Sequence, residues 1–240
     1  MGIALSVIIP AFNEALRLPP FLQSVRKYLD RQHQDAYEVI VVNDGSRDGM
    51  ADVLSAMATE WPALVVIEHP ANRGKGAAVR TGMLAARGEL LLFADADGAT
   101  PIDQEARLAD AIHGGADLAV GSRLVDATEV TRRRTWTRGL VGRLFASVAK
   151  RWLGLSVQDT QCGFKMFSAK AGRELFASGH ETGYLFDLEL LVLAAQLGYE
   201  VAEVPVNWKD VPGSHLSMAR DSGKILVGLW RIRRRMANRP

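Results

Sequence analysis

The chain has 240 residues, 48% of them hydrophobic, with 29 basic against 27 acidic side chains and a formal charge of +2. A chain of this size buries roughly 70–75% of its unfolded surface, so it forms a core without staples, and one domain with a C-terminal extension is expected. The single cysteine, Cys162, excludes an intramolecular disulfide, and the N-terminus has neither a basic leader region nor a small-residue cleavage site, which together point to the cytoplasm. The best apolar run, Leu185 to Leu197, is short for a membrane span and carries Asp187 and Glu189.

Over the first 120 residues, short β-branched apolar runs alternate with helix-length segments, which predicts an α/β fold of βαβ units and a mainly parallel sheet flanked by helices. Strands are expected over Leu5 to Ile9, Tyr37 to Val42, Leu64 to Glu68, Leu90 to Ala94 and Leu118 to Val120. Helices are expected over Pro19 to Leu29, Asp48 to Glu60, Gly74 to Ala86 and Asp103 to Ile112, with Asp48 and Asp103 as N-terminal caps. Asn13 and Glu14 then follow the first strand, Asn43 and Asp44 the second, and Asp95 and Asp97 the fourth. Carboxyl ends of strands are where open α/β sheets bind ligands, so these residues are expected in one crevice.

Beyond residue 125 the pattern changes. Trp136, Leu140, Leu144, Val148, Trp152 and Leu155 recur at helical spacing among Arg138, Arg143, Lys150 and Arg151. A second basic amphipathic helix is expected from Met218 to Met236, with Met218, Ile225, Leu229, Ile232 and Met236 on one face. Residues 130–158 hold seven basic and no acidic side chains, and residues 214–240 hold seven basic against Asp221, leaving 15 basic and 26 acidic side chains in the rest of the chain. Such segregation indicates an anionic partner, and two basic helices bearing tryptophan point to a membrane surface rather than to the solvated face of core helices. The basic residues carry no nucleic-acid-binding motif. The expected division is a domain over 1–213, containing the basic segment 130–158, and a C-terminal helix over 214–240.

Asp95-Ala96-Asp97 ends an apolar strand, and two carboxylates emerging together repel unless a cation sits between them; hard oxygen ligands suit Mg²⁺ or Mn²⁺ bridging to phosphate oxygens. Asp44, at a strand tip, is suited to accept a proton from a base N–H or a ribose hydroxyl. Asn72-Arg73-Gly74-Lys75-Gly76 fits either a plain turn into a helix or a phosphate or ribose contact at a helix N-terminus. Cys162 reads as a packing residue, and none of the five histidines forms a metal-like pair by spacing.

Pro10-Ala11-Phe12-Asn13-Glu14, Val42-Asn43-Asp44-Gly45-Ser46, Asn72-Arg73-Gly74-Lys75-Gly76, Asp95-Ala96-Asp97-Gly98-Ala99-Thr100 and Gly121-Ser122-Arg123 resemble the ordered motifs of family 2 glycosyltransferases with the GT-A fold. Asp159-Thr160-Gln161-Cys162-Gly163-Phe164-Lys165 and Val206-Asn207-Trp208-Lys209, followed by Gly213-Ser214, are similar to dolichyl-phosphate β-glucosyltransferases, whose close relatives are polyprenyl-phosphate mannosyltransferases. The resemblance implies that Pro10, Phe12, Glu14, Asp44 and Lys75 hold the nucleotide, and that Asp95 and Asp97 hold the metal and diphosphate. It further implies that Arg123 and Arg138 face an acceptor phosphate, with Gln161 and Lys165 near the transferring sugar. Phe12 stands where many relatives carry tyrosine, and His215 where lysine is common; Gly98-Ala99-Thr100 matches the glucosyl branch.

The expected activity is inverting, metal-dependent transfer of a hexose to a polyprenyl phosphate by a peripheral protein, from UDP-glucose first and GDP-mannose second. A non-catalytic sugar-nucleotide-binding protein is the alternative of a different class. A lipid phosphate is already anionic near neutral pH, since its second pKa is about 6, so no general base is required. A hydroxyl acceptor would demand one, with Asp187 and Glu189 the candidates; otherwise these two pair with basic side chains or orient the sugar.

Overall fold

A computed structural model of the chain describes residues 2–125, 155, 157–209 and 227–235. Seven strands, β1 (Leu5–Ala11), β2 (Tyr37–Asn43), β3 (Leu64–Glu68), β4 (Leu90–Ala94), β5 (Leu118–Ser122), β6 (Phe164–Ser168) and β7 (Val201–Pro205), form one sheet. Its order is β3-β2-β1-β4-β6-β5-β7. β6 runs antiparallel to both of its neighbours, and every other pairing is parallel.

Every residue of β1 and β2 is buried, because helices cover both faces of the sheet. Val7 and Ile9 join one core with α1 (Leu18–Gln32), α2 (Met50–Glu60) and α4 (Glu105–His113). Ile8, pointing the other way, joins a second core with α3 (Lys75–Ala85), α5 (Ala169–Ser178) and α6 (Phe186–Gln196). Residues 227–235 form a further helix, α7, which presses Leu229 and Ile232 into this second core. The helices follow local chemistry: α1 carries prolines in its first turn, where no intrahelical donor is lost, and buries Leu18, Leu22, Val25 and Leu29 along one stripe.

The expected third and fourth strands match the observed ones, while β1, β2 and β5 run one or two residues further at their carboxyl ends. Two expected caps are corrected. Asp103 lies inside a 3-10 turn (Ile102–Gln104), where it accepts from Gln104 Nε2 at 3.0 Å, and α4 starts only at Glu105. Gly49, at φ 83°, is the N-cap of α2; the carboxylate of Asp48 accepts from Met50 N at 3.3 Å and reaches back to Ala15 N at 2.8 Å.

The membrane-facing assignment is corrected for two residues of the C-terminal helix. Leu229 and Ile232 are buried in the protein's own core, whereas Val227 and Trp230 are 61% and 55% exposed. Met218, Ile225 and Met236, the boundary at 213/214, and nearly all of the basic segment 130–158 lie outside the described residues. Among the described residues, no helix is long and apolar enough to cross a membrane.

Candidate active site

The chain builds leftward from β1 to β2 and β3, then crosses over to place β4 on the other side of β1, so the strand order reverses between β1 and β4. A crevice opens at such a switch point. Here the pairing of β1 with β2 runs as far as Ala11 and Asn43, but with β4 it stops at Ile8 and Phe93, so the carboxyl ends of β1 and β4 part. β6 is antiparallel, which brings its amino end, carrying Gln161 to Gly163, to this same edge.

On one side of the crevice the loops after β1 and β2 are stitched together. Asn13, at φ 55°, donates its backbone N–H to Ser46 Oγ at 2.9 Å, and its Oδ1 accepts from Arg47 N at 2.9 Å. Pro10 is buried in β1, and Phe12, just beyond the strand, is 40% exposed and leaves an aromatic surface open to a ligand. Glu14 is held by Arg17, whose Nε donates to it at 2.6 Å.

Asp44 is buried and largely saturated. Its Oδ1 accepts from His69 Nδ1 at 2.7 Å and from Arg73 N at 2.9 Å, and its Oδ2 accepts from Gly74 N at 2.8 Å. A carboxylate offers about four acceptor positions, so one is left for a nucleoside. The 72–76 segment is therefore organised by Asp44 through two of its own amides. Gly45, at φ 72°, allows the close approach: a Cβ there would lie 2.5 Å from the backbone of Ala71. His69, whose Nε2 lies 3.0 Å from Thr81 Oγ1, was not singled out by its sequence. Its position at the carboxyl end of β3 was the available signal.

Asp95 and Asp97 sit at the centre of the edge. Asp95 N donates to Gly163 O at 2.9 Å, Lys75 Nζ lies 2.7 Å from Asp95 Oδ1, and Asp97 Oδ1 accepts from Ala99 N at 3.0 Å. Burial, and then the neighbouring charge of Asp95, push the Asp97 carboxyl above its ordinary value. Burial opposes the charge on Lys75, but Asp95 and the other carboxylates outweigh it and raise its pKa. The oxygen donors suit Mg²⁺ or Mn²⁺, and the repulsion felt by Asp97 is what a cation would relieve. Among the described residues no three His, Cys, Asp or Glu groups converge, so such an ion would complete its shell with phosphate oxygens and water, as these metals commonly do.

On the far side, Arg123 makes a two-pronged pair with Asp159, at 2.7 Å from both Nε and Nη2, and its guanidinium lies 5.4 Å from the Trp208 ring centre. Burial alone would raise the Asp159 carboxyl, but the hydrogen bonds and charge of Arg123 hold it below its ordinary value. The loop carrying Asp159 is fixed by Glu203 of β7, which accepts from Gln158 N and Asp159 N. Gln161 Nε2 is buried with no hydrogen-bond partner among the described residues. Arg138 lies outside the described residues.

Lys165, expected near the transferring sugar, is the second residue of β6 and is buried. Its ammonium donates to Asp187 Oδ1 and to Cys162 O, both at 2.6 Å. Burial pushes the Asp187 carboxyl up and the Cys162 thiol up to about 12. Glu189 accepts from the amides of His180 and Glu181 and pairs with Arg235.

A sheet of this order, with paired aspartates after its fourth strand and the cationic side chains of Lys75 and Arg123 on either side, defines a GT-A glycosyltransferase. The family model "Glycosyl transferase family 2" matches residues 6–176, and the chain belongs to that family. It is 40% identical to the dolichyl-phosphate beta-glucosyltransferase of Drosophila melanogaster, over 96% of this chain and 78% of that protein. Against the dolichyl-phosphate beta-glucosyltransferase of Saccharomyces cerevisiae it is 35% identical, over 96% of this chain and 74% of that protein. Among solved structures it is similar to glucosyl-3-phosphoglycerate synthase from Mycobacterium tuberculosis in complex with UDP, with a TM-score of 0.70 and 20% identity over 99% of this chain and 81% of that one. Mannosyl-3-phosphoglycerate synthase from Rubrobacter xylanophilus gives a TM-score of 0.72 at 20% identity, over 99% of this chain and 76% of that one. At these identities the two structures establish the fold.

Proposed function

We propose that this enzyme transfers glucose from UDP-glucose to a polyprenyl phosphate, with inversion at the anomeric carbon, while held peripherally at the cytoplasmic face of a membrane. The observation that carries this reading is the state of the two candidate bases. Asp187 is neutralised by Lys165 in the core, and Glu189 is spent on two amides and Arg235. A hydroxyl acceptor would find neither of them available, whereas a phosphate acceptor arrives already ionised and needs no base. The names of the curated relatives, which carry both glucose and dolichyl phosphate, support the same choice.

In this reading Phe12 stacks on the base, Pro10 and Glu14 line its pocket, and Asp44 acts chiefly by holding the loop that carries Lys75. Lys75 answers the charge of the diphosphate. Asp95 and Asp97 would hold Mg²⁺ or Mn²⁺, whose chemistry there is neutralisation of the departing diphosphate. A structure similar in fold was solved with Mn²⁺, UDP and phosphoglyceric acid, which supports use of a divalent ion. Arg123, fixed by Asp159 and Trp208, and Arg138 orient the acceptor phosphate opposite the leaving group, so that catalysis rests on positioning and on fixed charge. Gln161 Nε2 is a buried donor with no partner among the described residues, which supports a role for it in donating to a sugar hydroxyl or a phosphate oxygen.

Exposed Val227 and Trp230, with the Arg234 guanidinium 5.3 Å from the Trp230 ring centre, and the basic segments 130–158 and 214–240, apart from Arg231 and Arg235, which are paired with Glu181 and Glu189, supply the membrane contact. Basic side chains near an anionic surface contribute about 1 kcal/mol each. The test of acceptor and stereochemistry is incubation with UDP-glucose and a short polyprenyl phosphate, followed by NMR of the glycolipid. A β-linked glucosyl phosphate is expected; an α-linkage, or glucose on a hydroxyl, would overturn the reading. Flotation with anionic vesicles should carry the protein at low salt and release it at high salt.

A further inference from the structure

The C-terminal helix α7 and the donor loop are far apart in sequence, yet a continuous path of short contacts joins them. Arg231 grips Glu181 with both prongs, Nε to Oε1 at 2.9 Å and Nη2 to Oε2 at 3.2 Å. Arg235 Nη1 lies 3.0 Å from Glu181 Oε1 and 3.3 Å from Glu189 Oε1. Both carboxylates are buried, and Glu189 Oε2 also accepts from His180 N at 2.8 Å and Glu181 N at 2.7 Å. The backbone of residues 180–182 is thereby pinned by charge from α6 on one side and α7 on the other.

That pinned backbone is the wall against which the donor loop rests. Thr182 O accepts from Ala77 N at 3.1 Å. A Cβ on Gly74 would lie 2.5 Å from Thr182 O, and one on Gly76 would lie 2.6 Å from Glu181 O, so the two backbones touch with no side chain between them. Gly74 N donates to Asp44, and Lys75, between the two glycines, reaches Asp95. A shift of a few tenths of an ångström at residues 181–182 is passed to the Asp44 and Lys75 contacts, because closely packed backbone transmits displacement.

We propose that α7 is a strut for the donor site: Arg231 and Arg235 are positioning residues that set the loop 72–76 through Glu181 and Glu189. The inference rests on the reading of 72–76 as the donor loop. A carboxylate gripped by a bidentate guanidinium is held in angle as well as distance, which suits a strut better than a single lysine contact.

The test uses the full chain and reads binding of UDP by calorimetry, with steady-state kinetics beside it. Arg231→Gln/Arg235→Gln should weaken UDP binding and raise KM for UDP-glucose about tenfold, equivalent to about 1.4 kcal/mol. The KM for polyprenyl phosphate and the kcat at saturating donor should stay within about twofold. Arg231→Lys/Arg235→Lys, which keeps the charges, should recover part of the loss. Leu29→Ala, a buried position near the end of α1 and on the other face of the sheet, serves as a comparison that lowers Tm without touching the path. Unchanged UDP affinity in the glutamine variant, or an equal loss in Leu29→Ala at matched Tm, would overturn the strut. The donor assignment is read separately from wild type: binding of GDP in place of UDP would change the nucleotide, with the variant ratio then measured on GDP, and binding of neither would overturn both.

Discussion

Adding one methyl group at Gly163 should separate the enzyme's stability from its activity. An alanine Cβ there would sit 1.9 Å from Asp95 Oδ2 and 2.2 Å from its Cγ, against an ordinary contact of 3.4 Å or more, so the carboxylate must move by about 1.5 Å. The backbone need not move, since Gly163 lies outside the left-handed region and its carbonyl keeps the bond from Asp95 N. The atoms that yield belong to a side chain at the protein's edge, so the cost to folding should be about 1 kcal/mol, or about 2–4 °C in Tm for a chain of this size. The cost to function should be larger. Displacing Asp95 breaks its 2.7 Å contact with Lys75 and spoils the pairing with Asp97, and a misplacement of about 1 Å at a reacting centre costs about 100-fold. Gly163→Ala should therefore lower kcat/KM about 100-fold with a near-native melting curve. Activity within threefold of wild type would show that Asp95 is not a working ligand, and a Tm loss above about 8 °C would show that the strain is taken up by the backbone.

Other perturbations probe the charges below and beside this centre. Lys165→Met leaves Asp187 buried without its cation and should destabilise the fold by about 3–5 kcal/mol in urea titrations, whereas Lys165→Met/Asp187→Leu should regain most of that loss. Asp159→Asn should raise the KM for the acceptor by releasing Arg123. The folded Asp159 carboxyl lies below its ordinary value, so the pair stabilises at every pH above about 4 and loses that contribution as pH falls through the lowered folded value. The stability difference between wild type and Asp159→Asn, followed by denaturant melts, should thus be flat near neutrality and shrink in acid. Cys162, its thiol pushed up to about 12 by burial, should resist iodoacetamide at pH 8 in the native protein and react fully in urea.

β1 to β5 were legible because they are short apolar runs, buried throughout in β1, β2 and β5 and β-branched in β3, and such runs alternating with helices admit few topologies. The crevice followed from the same alternation, since Asn13, Asp44 and Asp95 each stand just beyond a strand. β6 was not legible. Its sequence, FKMFS, places a lysine in a buried strand, and only the arrival of Asp187 from α6 makes that tolerable. Nothing local announces a partner that lies 22 residues away. Helical periodicity likewise gave α7 an apolar face but not its neighbour: Leu229 and Ile232 meet the protein's own core, and the outward surface passes to Val227 and Trp230. For Asp44 the residue and its edge were readable, while the use of its oxygens by loop amides required the folded positions of Arg73 and Gly74. His69 could have been placed at the same edge by the argument used for Asp44.

The most direct measurement is transfer of radiolabel from UDP-glucose, with GDP-mannose in parallel, into a short polyprenyl phosphate with Mg²⁺ or Mn²⁺ present, comparing wild type with Asp97→Ala. Label should enter lipid from UDP-glucose alone and only with Asp97 intact. Label from GDP-mannose would keep the site chemistry and change the donor. Full activity in Asp97→Ala, or no lipid product from either donor, would contradict the assignment of this edge as a metal-dependent polyprenyl-phosphate glucosyl transfer site.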